Sequence, residues 1–372
     1  MQTQQAQAQV KQMSQPLRSR TKNPRAAFTL IEILIVVTII ALLMGLLTPA
    51  VMTVMGNARE AAMKSEADGI ALAIEAYRDK YGEYPPDCSD KDLVIRHFRT
   101  IFPQIDVREL QLLDNMLLQG GTFSAHNISR AEALVFVLGG YSSNPQNPLT
   151  GDGGPFDFVG TGSPTTVAGD YQYNTARTNS LFDFDITQLS ITPWDPASST
   201  KPTPTSKTIS SDDGDIFPVY SPPNKVAPYV YFDSRTYGWL PDVGQFNSFP
   251  NTTAASVVGY VRPLKIKNGQ PASGSTYGTA AAASKAWDFA NPKSFQVIAA
   301  GRDDQFGSVH TQSGYPVYFI AGTGEAMVAD PDADGPTATL ISSVSNFQAS
   351  SDNAVADNIT NFSTRTLEAD VE

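Results

Sequence analysis

Cysteine is almost missing from this chain. Cys88 stands alone in 372 residues, so no intrachain disulfide can close a loop. A single thiol in a globular part is more often a small apolar filler than a reactive group. Histidine is nearly as scarce. His97, His126 and His310 lie far apart and form no pair at metal-ligand spacing. There is no Gly-x-Ser-x-Gly elbow, no P-loop and no Gly-x-Gly-x-x-Gly turn. The pieces Gly322-Thr323-Gly324 and Gly151-Asp152-Gly153-Gly154 read as turns. These absences leave no candidate catalytic centre, and an enzyme is not expected. Basic charge is also short, with 26 Lys and Arg against 37 Asp and Glu and a net charge of −11. Arg262, Lys265 and Lys267 make too small a patch to hold a phosphate backbone, so no nucleic acid is expected.

Charge is absent in a patterned way too. Residues 1–27 hold Lys11, Arg18, Arg20, Lys22 and Arg25 but no acid, and residues 33–58 hold no charge at all. From Phe28 the chain is Ile, Leu, Val, Met and Ala at most positions. A helix needs roughly 20 such residues to cross a bilayer, and this run supplies them. Positive charge ahead of a span keeps that end in the cytoplasm, which sends the remainder across the membrane. An ordinary secretory signal has a shorter apolar run ending at a small-residue cleavage site. Here the run passes Thr48-Pro49-Ala50 and continues to Met55. One carboxylate, Glu32, sits near the start of the span. An acid in such a place is expensive and calls for a function.

The motif Ala27-Phe28-Thr29-Leu30-Ile31-Glu32, with its basic leader and apolar run, resembles the signal of type IV pilins and type II secretion pseudopilins. The resemblance implies that a prepilin peptidase cleaves between Ala27 and Phe28 and that the new amino group of Phe28 is methylated. Ala27 stands where the family usually has Gly. Glu32 follows Phe28 by four residues, where the family places its glutamate. Pro49 follows by twenty-one, where the family often has a helix-kinking proline. The resemblance further implies that Glu32 pairs with the Phe28 ammonium of a neighbouring subunit during assembly. Such a pair is favourable in low dielectric only with good geometry. Glu32 also lies only about 6 Å along a helix from Phe28, close enough to reach water at the headgroups. Pro49 and Gly45 weaken the helix midway, whether as a packing device or as a bend in a plain anchor.

Past the apolar run, Ala67, Ile70, Ile74, Tyr77 and Tyr81 recur at spacings of three and four, which predicts that the helix continues with one apolar face. Gly82 and Pro85-Pro86 end it. A helix over residues 28–81 would be about 80 Å long. The segment 71–86 resembles the helix end and following turn of major pseudopilins. Residues 93–102, 106–118 and 130–138 read as short helices, and 226–232, 256–261, 295–299 and 316–320 as strands. The aromatic run 229–239 reads as core strand plus turn. Residues 197–213 read as a flexible loop.

Segments 295–307 and 357–362 resemble the two sides of the calcium loop of major pseudopilins, separated here by a much longer stretch. The resemblance offers Asp303, Asp304 and Asp357 as calcium ligands. Between them Asp330, Asp332 and Asp334 alternate ahead of Gly335, as at the start of a calcium loop, but Ile341 occupies the place where an EF-hand needs its glutamate. Acidic turns of this composition also occur without any ion.

The expectation is therefore an α+β, pilin-like chain. It divides into a basic leader over 1–27 that is removed, an N-terminal helix over 28–82 whose apolar half 28–58 spans the membrane, and an extracytoplasmic head over 83–372 with antiparallel β-sheet and long loops. Its implied partners are prepilin peptidase, other pilin-like subunits and an inner-membrane assembly platform. The implied location is the inner membrane, with a periplasmic head, and then a filament. Three functions stay open at this point: a type II secretion pseudopilus subunit, a type IV pilus subunit used in adhesion or motility, and a membrane-tethered binding protein that uses a prepilin signal.

Overall fold

The computed structural model describes residues 29–119, 122–123, 128–190, 216–237, 249, 258–267, 287–307, 311–312, 315–329, 338–340 and 355–370. Four α-helices open the described chain: α1 (Leu30–Tyr81), α2 (Lys91–Ile101), α3 (Val107–Met116) and α4 (Arg130–Leu138). Compact units divide at Val54 and Met55, within α1.

In the first unit, α1 is apolar on all sides, with Leu30, Leu34, Leu42, Leu46 and Met52 among its exposed side chains. Exposed Ile, Leu and Val all round a helix suit lipid rather than water. The helix is continuous through Pro49, although the missing N–H deprives the Gly45 carbonyl of its helix donor. Thr48 Oγ1 donates to Met44 O at 2.7 Å and Thr53 Oγ1 to Pro49 O at 3.0 Å, so the hydroxyls on either side stay satisfied within the helix.

In the second unit the same helix becomes one-sided. Met63, Ala67, Ile70, Ala73, Ile74 and Tyr77 are buried, whereas Leu72 on the other face is 71% exposed. This is the apolar stripe that the spacing of three and four predicts. Gly82, at φ +87°, ends the helix, its N–H donating to Arg78 O at 2.7 Å. That left-handed conformation favours glycine. Helix α4 starts on a capping box, Ser129 with Glu132, which satisfies two amide donors at once.

The sheets are small and antiparallel. Hairpins pair β1 (Leu118–Gln119) with β2 (Thr122–Phe123) and β3 (Phe156–Phe158) with β4 (Tyr171–Tyr173). Strand β5 (Val230–Asp233) follows, and β6 (Lys265–Lys267) pairs with β7 (Trp287–Phe289). Strand β8 (Phe295–Ala299) precedes β9 (Thr311–Gln312), β10 (Tyr315–Phe319), β11 (Ala326–Ala329) and β12 (Ala338–Leu340), which form a four-stranded sheet in the order β12-β11-β10-β9. The last strand, β13 (Ile359–Thr360), joins β8 and β5 in a three-stranded sheet with β8 in the middle.

That three-stranded sheet separates two cores. Tyr231, Phe295, Val297, Ala299 and Ile359 belong to the same apolar cluster as Ile70, Ile74 and Tyr77 of α1. Val230, Phe232, Ile298 and Ala300 belong to a second cluster with Val261, Leu264 and Phe306. Alternate residues on a strand face opposite sides, so a sheet buried on both faces reads as nearly continuous apolar sequence. The aromatic run from Tyr229 to Phe232 is core strand, and Cys88 is buried.

Two strand expectations shift. The segment expected over 226–232 starts as a strand only at Val230, because the N–H groups of Val226 and Ala227 donate to Asp304 instead of to a neighbouring strand. The described part of 256–261 is a turn with one bridge, Val261 to Phe249. Gly259 there has φ +70° and lies so close to Gly307 that a Cβ would meet its carbonyl oxygen at 2.3 Å. The expected loop over 197–213 lies outside the described residues.

A buried polar knot ties the end of α1 to α2, α4 and β5. Asp87 accepts from Ser89 Oγ at 2.6 Å, Arg130 Nε at 3.1 Å and Thr236 Oγ1 at 2.6 Å. His97 meets Glu83 through Nδ1 and Tyr77 through Nε2, both at 2.7 Å. Burial pulls His97 down to about 4 against the pull of Glu83. The ring is therefore neutral at neutral pH, with Nδ1–H donating to Glu83 and the Tyr77 hydroxyl donating to Nε2.

Two outcomes follow from this packing. The unfolded chain binds a proton at His97 near pH 6.5 and the folded chain only near pH 4, so the contribution of His97 is complete above about 6.5 and is lost as pH falls through that window. Melting across pH 7 to 4 should show a loss of up to about 3 kcal/mol that His97→Gln lacks; equal slopes in both proteins would contradict it. Ile74→Ala should cost about 2–5 kcal/mol in chemical denaturation, and a cost near zero would remove the α1 stripe as the main contact with the sheet.

Candidate functional site

The first site is the start of α1. Thr29 precedes the helix and Glu32 is its third residue. Glu32 Oε2 accepts from Thr29 N and from Thr29 Oγ1, both at 2.8 Å, and Glu32 N donates to Thr29 Oγ1 at 3.3 Å. This is a reciprocal capping box, in which the two side chains satisfy amide donors that a helix start otherwise leaves open. Glu32 therefore has a local role that its place in an apolar span does not announce. Thr-x-x-Glu ahead of an apolar run is the sequence signal for it. The carboxylate is held at the helix terminus, with Oε1 making no hydrogen bond among the described residues. Ala27 and Phe28 lie outside the described residues. Pro49 lies within the continuous helix.

The second site is the turn after β8. Gly301 has φ +48°, and a Cβ on it would sit 2.2 Å from Asp357 O and 2.5 Å from Asp357 Cγ. Only glycine lets the backbone come so near that carboxyl group. The next two amides close on it: Arg302 N donates to Asp357 Oδ2 at 2.6 Å and Asp303 N at 3.1 Å. Asp357 Oδ1 is buried with no hydrogen-bond partner among the described residues. Burial, with Asp303 nearby as the next cause, pushes the Asp357 carboxyl up to about 7. A buried carboxylate oxygen without a donor carries a desolvation cost that a bound cation or proton would offset.

The expected ligands divide. Asp303 and Asp357 come together at this turn. Asp304, at φ +66°, faces another task, accepting from Val226 N at 2.9 Å and Ala227 N at 2.8 Å. Asp330, Asp332 and Asp334 lie outside the described residues. Among the described residues no three His, Cys, Asp or Glu side chains gather around one point. Hard cations are satisfied by carboxylate, carbonyl and water oxygens together. Asp357 Oδ1 is left without a donor, and among the described residues no third carboxylate joins Asp357 and Asp303 to complete such a ligand set.

A third cluster was not visible in the sequence. Glu60 of α1 is buried, and Arg302 Nε reaches it at 2.7 Å and Arg365 at 3.5 Å. One turn further on, Lys64 pairs with Asp68 and donates to Thr360 O at 3.2 Å. Glu66 accepts from Tyr220 and Tyr229 hydroxyls, both at 2.6 Å, and from Gln188 at 2.9 Å. Apart from Asp68, the partners are more than a hundred residues away in the chain, and local periodicity carries no trace of them.

Residues 22–48 match the model of the prokaryotic N-terminal methylation motif. No curated protein and no solved structure matches the chain. The helix that begins within the matched stretch is long and apolar enough to cross a membrane. Residues 22–48 thus carry a prokaryotic N-terminal methylation motif that runs into a long apolar helix, and the likeness to pilins and pseudopilins is confined to that stretch.

Proposed function

We propose that this chain is a structural subunit of a type II secretion pseudopilus. Prepilin peptidase would cut between Ala27 and Phe28 and methylate Phe28, and the mature subunit would wait in the inner membrane with its head in the periplasm. Assembly on an inner-membrane platform would transfer α1 from lipid into a bundle of like helices, and the growing filament would push exported protein outward. The observation that carries this reading is the methylation motif over 22–48, which runs in register into a continuous helix with Glu32 fixed at its first turn.

The chemistry of assembly follows from that first turn. A freed Phe28 ammonium needs a carboxylate when it leaves water, and Glu32 offers one in low dielectric. The Thr29 hydrogen bonds occupy Oε2 and leave Oε1 for a neighbouring subunit. Lone Cys88 and the turn at Asp357 support secretion over a pilus, since a bound calcium ion there would staple the C-terminal segment without a disulfide. Asp303 and Asp357 are the carboxylates proposed for that ion. A calcium ion would supply charge compensation and hold the two segments, with no chemistry beyond that.

Three measurements check the reading. Glu32→Ala should leave membrane insertion intact and sharply reduce incorporation into filaments; incorporation at the wild-type level would remove the assembly role. Chelation of the purified head-bearing chain should lower its melting temperature, with recovery on adding calcium, and an unchanged temperature would remove the calcium ion. Loss of protein export on deletion, with surface filaments unaffected, separates secretion from a pilus.

A further inference from the structure

A polar cleft of about 210 Å³ opens between the first turns of α3, the loop from α4 to β3 and the connection from β3 to β4. Its walls are tied together across long stretches of chain. Glu109 of α3 accepts from Leu149 N at 2.7 Å, from Thr150 N at 3.1 Å and from the Thr150 hydroxyl. Asp106 N donates to Gln146 O at 2.8 Å, and Asn115 Nδ2 to Thr166 O at 2.7 Å. The Tyr171 hydroxyl donates to Thr165 O at 2.7 Å. At Gly151 a Cβ would collide with Asn147 O, so the backbone comes that close only because glycine stands there. A cleft held from three sides in this way is shaped before any ligand arrives.

What the walls leave over is hydrogen-bonding capacity without unmatched charge. Both oxygens of Glu109 are engaged. The start of α3 is capped by Asp106, which accepts from Arg108 N at 2.8 Å and lies 3.6 Å from the Arg108 guanidinium. The half-buried Asn147 side chain lines the cleft and makes no hydrogen bond among the described residues. Its amide offers two donors and an acceptor. Arg108, 64% exposed, adds donors at the rim. The buried Leu112 and Tyr171 supply apolar wall. A cavity of about 150 Å³ already accepts benzene, so this volume admits one six-membered ring.

We propose that this cleft binds the ring of a neutral sugar. Ring hydroxyls both donate and accept, which suits Asn147 and Arg108, and the C–H faces of the ring suit Leu112 and Tyr171. Sugar binding here goes beyond filament assembly and does not depend on it.

The test uses the full chain in a detergent without sugar headgroups. The probes are D-glucose, D-galactose, N-acetyl-D-glucosamine and their methyl glycosides. Saturation-transfer NMR shows which ring protons touch the protein, and titration gives the affinity. At least one neutral pyranose should bind with a Kd on the order of 1 mM. Asn147→Ala removes a side chain that makes no other hydrogen bond among the described residues, and should weaken binding about fivefold with the melting temperature unchanged. Arg108→Ala, at the exposed rim, should weaken it as well. A methyl glycoside that binds as tightly as the free sugar marks the end of a glycan as the ligand, and its exclusion marks a free sugar; both outcomes support the site. Absence of binding by every probe, or wild-type affinity in either variant, would overturn the proposal.

Discussion

Helix α1 has to satisfy two different surroundings with one continuous backbone, and most of the architecture answers to that constraint. Up to Met55 its side chains are apolar all round, which only lipid or other apolar helices can match. From Glu60 onward, one face is buried against the three-stranded sheet while the other keeps water. A helix has no hinge of its own to separate these regimes. The change is made by side chains: Glu60, Lys64 and Glu66 are each held by groups from far along the chain. Charged residues at these positions end the lipid-compatible stretch and begin the docked one.

The carboxylates divide the labour along the helix. Glu32 closes the first turn by accepting from the amide and hydroxyl of Thr29. Glu60 neutralises Arg302 and ties the helix to the turn over Asp357. Glu66 gathers two tyrosine hydroxyls whose own burial drives their protons up well beyond the usual phenol range. Each carboxylate is therefore satisfied by a different chemistry. Further along, the neutral His97 and the Asp87 knot fix the end of the helix without adding net charge to the core.

Much of this was legible in the chain itself wherever the signal was local. Phe28-Thr29-Leu30-Ile31-Glu32 announced the signal, Gly82 announced the helix end, and the expected limits 130–138 and 295–299 coincide with α4 and β8. Non-local pairings were not legible. The approach of Gly301 to Asp357 spans more than fifty residues, and Asp304 diverts two amides that a β pattern would have placed in a strand. Segment 256–261 has strand-like composition, but Gly259 turns its described part against Gly307. The Thr29-x-x-Glu32 capping pattern is local and present in the sequence, but the apolar span around Glu32 masks it.

The central claim is that this chain is processed and assembled as a prepilin-like subunit. The mass of the N-terminus of the protein isolated from its own membrane tests it most directly. A chain beginning at an N-methylated Phe28 is the result the account predicts. A chain still beginning at Met1 would contradict it and leave α1 as a static anchor.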